Sequence, residues 1–176
     1  MADGSGPSVA ARDDLAGVVD MFEWLTRAEL SRALSELAFK QRAEVDEDAI
    51  DAAIDLAVAE YALVPAPVES LSGAESEPIS DGETALAVGP AAFPTLPEGA
   101  EDLPHILDVP DREVDREALA DAVLERLRDE AVEAIGEGDD DRLETLADVT
   151  YDVEAWAPVD VDPVRTRILA EVDEGA

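Results

Sequence analysis

The sequence predicts a mainly α-helical protein: a winged-helix-like unit of three helices and a β-hairpin (residues 13–89), a proline-rich strap (90–110), and a C-terminal helical unit (111–176) packed on the first. Three observations carry this expectation. Apolar residues recur at helical spacing in six segments. Two short apolar runs flank a polar insert between the third and fourth of those segments. The stretch PAAFPTLPEGAEDLPHILDVP then gathers five of the 11 prolines and the single histidine.

Residues 1–12 are small and polar and read as a disordered tail. From Asp13 the spacing of Leu15, Val18, Val19, Phe22 and Leu25 lines one face of a first helix, with Asp13 or Asp14 placed to cap it. After a sharp turn, Thr26 and Glu29 form a capping-box signature that opens a second helix with Leu30, Leu34, Leu37 and Ala38 on its apolar face. A third helix from Asp46 puts Ile50, Ile54, Ala57, Val58 and Tyr61 on one side and Asp48, Asp51, Asp55 and Glu60 on the other. The runs ALVPAPVE and TALAVG, on either side of a Ser-, Gly- and Glu-rich insert at about 70–83, read as a hairpin. Pro65 and Pro67 keep its first strand short or at an edge.

The prolines of the strap fix φ and disfavour helix on their N-terminal sides, which predicts an extended connection. Beyond it, Asp111 or Asp115 caps a long helix with Leu119, Val123, Leu127 and Ile135 near one stripe, stopped by Gly136 and Gly138. A shorter helix from Asp140 uses Leu143, Leu146 and Ala147 and decays into YDVEAW. Asp162 before Pro163 reads as an N-cap and first-turn proline for a last helix carrying Ile168, Leu169 and Val172.

Composition bounds the solvent and the partners. Forty-five Asp and Glu stand against 12 basic residues, a formal charge of −33, and Lys40 is the sole lysine. Such a surface repels itself in dilute buffer, whereas at 1 M ionic strength a Debye length of about 3 Å screens it almost fully. The expectation is a soluble cytoplasmic protein of a salt-accumulating halophile. High charge with few aromatics is also a mark of disorder, but apolar residues kept at helical spacing argue for a folded state in salt. The absence of cysteine excludes disulfides and thiolate metal sites. No apolar stretch has the form of a signal peptide or approaches the roughly 20 residues of a membrane span.

The segments GVVDMFEWLTRAELSRALSELAFK, GPAAFPTLPEGAEDLPHILDVP and VTYDVEAWAPVD resemble a family of haloarchaeal proteins known as a domain of unknown function, over most of residues 13–173. The resemblance implies a lineage and a salt-filled cytoplasm and transfers no catalytic residue.

Candidate sites are few. A winged helix that binds DNA needs cations on its third helix and wing, yet no Lys or Arg lies between Arg42 and Arg112 while 17 acidic residues do, which argues against nucleic-acid contact there. The second helix is the local exception: Arg27, Arg32, Lys40 and Arg42 outnumber Glu29 and Glu36. Glu29 with Arg32 and Glu36 with Lys40 have intrahelical pairing distance, so this charge is expected to be self-neutralised or to dock the acidic third helix. Otherwise it is a site for phosphate or an acidic partner. His105 has Glu101 and Asp102 nearby but no nucleophile and no further His or Cys ligand, and is expected to be held rather than used. The run EGDDD at 137–141 breaks calcium-loop register, because Glu144 stands where glycine is needed. No glycine-rich phosphate loop occurs. The expected function is therefore non-catalytic, without cofactor or metal: a protein-interaction or regulatory adaptor. Its candidate contacts are the second helix and the strap residues Phe93, Leu96, His105 and Ile106. The alternative is a winged-helix nucleic-acid-associated regulator using the basic second helix.

Overall fold

The computed structural model describes residues 9–42, 44, 46–72 and 83–175. Most of the polar insert expected at 70–83, and the first eight residues of the expected tail, lie outside the described residues. The chain divides into two compact units, Met1–Val114 and Asp115–Ala176. The proline-rich stretch, expected as a strap between two halves, thus belongs to the first unit.

In the first unit α1 (Val9–Asp20) leads to β1 (Trp24–Thr26), α2 (Arg27–Lys40), α3 (Glu47–Ala59) and β2 (Leu63–Pro65), followed by β3 (Leu71–Ser72) and β4 (Ala85–Val88). Helix α1 begins ahead of Asp13, so neither Asp13 nor Asp14 caps it, and it ends before Phe22 and Leu25. Leu25 instead lies in a strand the sequence reading missed, pairing with Leu86. The three antiparallel strands run in the order β1-β4-β2. Strand β2 is an edge strand ending at Pro65, where a missing N–H disrupts nothing. Helices and sheet enclose one core of Leu15, Val18, Val19, Leu30, Leu37, Ile54, Leu63 and Leu86, all at most 5% exposed. The capping box at α2 is complete: the Glu29 amide donates to Thr26 Oγ1 at 3.2 Å and the Thr26 amide to Glu29 Oε1 at 2.9 Å.

The strap is not extended throughout. A 3-10 turn at Ala100–Asp102 runs into α4 (Leu103–Leu107), with Pro104 in the first turn, where a helix tolerates a residue without an N–H. Leu103 and Leu107 are buried in the core, and burial of that apolar pair outweighs the local proline signal. Strand β5 (Glu113–Val114) then pairs antiparallel with β3, a second small sheet invisible in the sequence pattern.

The second unit is three helices: α5 (Arg116–Glu137), α6 (Asp140–Trp156) and α7 (Asp162–Gly175). Asp115, not Asp111, caps α5 by accepting the amides of Glu117 and Ala118. Of the two glycines expected to stop it, only Gly138 does so, at φ 69, a left-handed conformation that glycine adopts without steric cost. Helix α6 does not decay at YDVEAW but continues through Trp156, because Val149 and Val153 keep its apolar stripe in phase. Helix α7 starts at Asp162 itself, whose amide donates to Asp160 Oδ1. Leu119, Val123, Leu127, Leu143, Leu146, Val153, Val164 and Ile168 form the buried interior. Arg165 ties α7 to α6 by donating to Thr150 Oγ1 (2.9 Å), the Thr150 carbonyl (3.1 Å) and Glu154 (2.9 Å) while lying 4.0 Å over the Tyr151 ring.

Candidate interaction surface

The residues singled out in the sequence are separated by the fold into spent charges and presented apolar groups. On α2, Arg27 reaches α3: its guanidinium lies 2.9 Å from Asp55 and 3.7 Å from Asp51 and donates to the Asp51 carbonyl. The basic helix thus docks its acidic neighbour, one of the two arrangements expected. The intrahelical pairs do not form. Glu29 is held by its own cap and by Arg112, so Arg32 donates instead to the Ile106 carbonyl at 3.4 Å. Lys40 bonds Asp102 and the Gly99 carbonyl in the strap rather than Glu36. The hydrogen bond from Lys40, then its charge, with a smaller contribution from His105, hold the Asp102 carboxyl below the usual carboxylate range. Arg42, just beyond α2, is exposed with φ 56.

The strap is fastened at two places. At the first, the Phe93 amide donates to the buried Asp13 carboxylate (3.2 Å), the Thr95 amide to the Asp13 carbonyl (3.1 Å) and the Thr95 hydroxyl to Asp14 (2.7 Å). Asp13 and Asp14, expected as helix caps, are the pins. Here the strap lies so close to α1 that a Cβ at Gly17 would run into the Thr95 carbonyl, so only glycine fits. At the second, Lys40 and Gln41 at the end of α2 donate to the carbonyls of Gly99 and Glu98. Along this fastened stretch the side chains of Phe93 (74% exposed) and Leu96 (56%) stand in water. Ile106 is packed against the core, and His105 is exposed on α4.

Two features escaped the sequence reading. Phe39, 76% exposed, precedes the fastening residues Lys40 and Gln41 and falls outside the apolar stripe of α2, a mismatch that the helical pattern already contained. Arg112 closes the strap: it donates to both Glu29 oxygens and to the Trp24 carbonyl, and no local pattern marks it. It lines a cavity of about 530 Å³ together with Glu23, Asp111 and Glu113, and its guanidinium is already paired with Glu29.

The chain matches the family of unknown function DUF7109 over residues 13–173. The chain belongs to that family. The match takes in α2, the strap and nearly all of the second unit, so the fastening residues of the strap lie within the family's span. No curated protein and no solved structure matches the chain. No described helix is long and apolar enough to cross a membrane.

Phe93 and Leu96 are thus large apolar side chains left exposed on a backbone stretch that is fastened to α1 and α2.

Proposed function

We propose that the protein is a non-catalytic interaction module, an adaptor or regulatory scaffold of a high-salt cytoplasm, in which a winged-helix unit serves protein contact. The observation that carries this reading is the strap fastened to α1 and α2 with the side chains of Phe93 and Leu96 held out from the fastened stretch. Fixing the backbone in advance lowers the entropy cost of binding, so two exposed anchors on it are worth more than the same residues on a loose loop. The succession of α1, β1, α2, α3, β2 and β4 with strand order β1-β4-β2 supports the winged-helix reading. Use of that unit on DNA is disfavoured because Arg27 and Lys40 are engaged by Asp51, Asp55 and Asp102, leaving few cations for phosphates.

The test installs a photo-crosslinking phenylalanine analogue at position 93 and follows the protein in cells kept at their native salt. A discrete adduct that disappears with Leu96→Asp, at unchanged helicity, supports the proposal; no adduct, or one indifferent to Leu96→Asp, overturns it. Titration with generic duplex DNA in concentrated KCl separates the alternative: the adaptor shows no saturable binding, whereas a regulator using α2 binds and weakens on Arg27→Ala with Arg32→Ala. The salt-filled setting makes its own demand: circular dichroism should report more helix in concentrated KCl than in dilute buffer, and equal spectra remove that part of the reading.

A further inference from the structure

The second unit carries a groove between α5 and α7 with a cavity of about 280 Å³, lined by Ala131, Val132, Pro163 and Val164 with Arg128 and Arg167 beside them. Val132 is 54% exposed. The other arginines of this unit are engaged: Arg126 and Arg142 with Glu130, Arg165 with Glu154 and Asp162, Arg116 over the Trp156 ring. Arg128 and Arg167 have no ion-pair partner among the described residues, and both border the same apolar groove. What sets these two apart from the other arginines of the unit is that they border one apolar groove together.

We infer that this groove docks an acidic, apolar-centred helical segment of a partner protein. Each wall supplies one arginine and one apolar residue a helical turn apart, Arg128 with Val132 on α5 and Arg167 with Pro163 on α7. The complementary ligand is a helix with a leucine-like side chain toward the floor and a carboxylate one turn to either side, each carboxylate taken by the planar fork of a guanidinium. The cavity is smaller than the roughly 300–1,000 Å³ of a usual small-molecule site and suits a single large side chain. A two-fold contact between copies would set the arginine rims against each other. The groove lies on the other unit from the strap, so its fate is independent of the strap's.

The test uses the full chain and a fluorescein-labelled helical peptide with central leucine and glutamate one turn to each side, read by anisotropy over a KCl series. Saturable binding that weakens with salt is expected. Arg128→Glu with Arg167→Glu should lower affinity about tenfold or more, and Val132→Asp should lower it similarly, with unchanged helicity. Phe93→Ala should leave it unchanged. The proposal is overturned by absent binding, by equal binding of a peptide with glutamine in place of glutamate, or by indifference to the arginine reversals. A concentration-dependent dimer lost with Val132→Asp would assign the groove to a second copy. Saturable decanoate binding without peptide binding would assign it to a small acid. Either result also overturns it.

Discussion

Arg112 grips Glu29 from 83 residues away: its two terminal nitrogens donate to the two carboxylate oxygens at 2.8 and 3.0 Å, and the guanidinium lies 3.8 Å over the Trp24 ring. The arginine side chain is only 2% exposed. A charge this deep is stable only while its partner remains, so breaking the pair differs from replacing it. Arg112→Met should destabilise the first unit by about 3–5 kcal/mol, and the double variant Arg112→Met with Glu29→Gln should recover part of that loss. Urea unfolding at constant KCl measures both; a double variant no better than the single would mean that packing on Trp24, and not the charge pair, holds the strap's end.

Acid should act through the same carboxylate. Burial raises the Glu29 pKa, but the hydrogen bonds from Arg112 and the Thr26 amide and the Arg112 charge outweigh it, so the net shift is downward. A group whose folded pKa lies below its unfolded value stabilises the fold above the unfolded pKa and loses that contribution as pH falls through the folded one. Stability should therefore decline below about pH 4, and Glu29→Gln, lower at neutral pH, should decline less steeply there. Parallel pH profiles for the two proteins would contradict this assignment.

Two glycine replacements should have opposite signs. Gly17→Ala forces a methyl into the Thr95 carbonyl, so either α1 or the strap must shift, at a cost of about 1–3 kcal/mol. Gly136→Ala has open space around its new methyl inside α5 and should stabilise by up to about 1 kcal/mol. Thermal melts of the pair give the comparison directly.

The acidic run at 137–141 should behave as a helix start. Asp139 Oδ1 accepts the Arg142 amide at 3.0 Å and caps α6, so Asp139→Ala should cost about 1 kcal/mol. Added calcium at constant ionic strength should leave the melting temperature unchanged; a rise abolished by Asp139→Ala would show that the run binds the ion.

Much of the fold was legible because its signals are local. Helix faces such as Leu15, Val18 and Val19, or Leu119, Val123 and Leu127, follow from spacing, and the caps Thr26 and Asp46 from residue type at the position just before the helix each opens. The three-residue β1 was not legible, because Trp24–Thr26 is too short to show alternation and is a strand only through its partner β4. Helix α4 was hidden behind a proline whose position in the first turn makes it harmless.

By itself, then, the sequence determined six of the described α-helices, most of their starts and the surplus of negative charge, since each depends on residues within a turn or two or on composition alone. Only the tertiary structure decided which of the candidate residues remain available. Arg27 goes to α3, Lys40 to Asp102 and Ile106 to the core, while Phe93 and Leu96 are left in water. The physical reason is distance along the chain. Whether a side chain is spent or offered depends on groups far away in sequence, such as Asp13 beneath Phe93 or Asp102 beside Lys40, and no periodicity within a single segment records them.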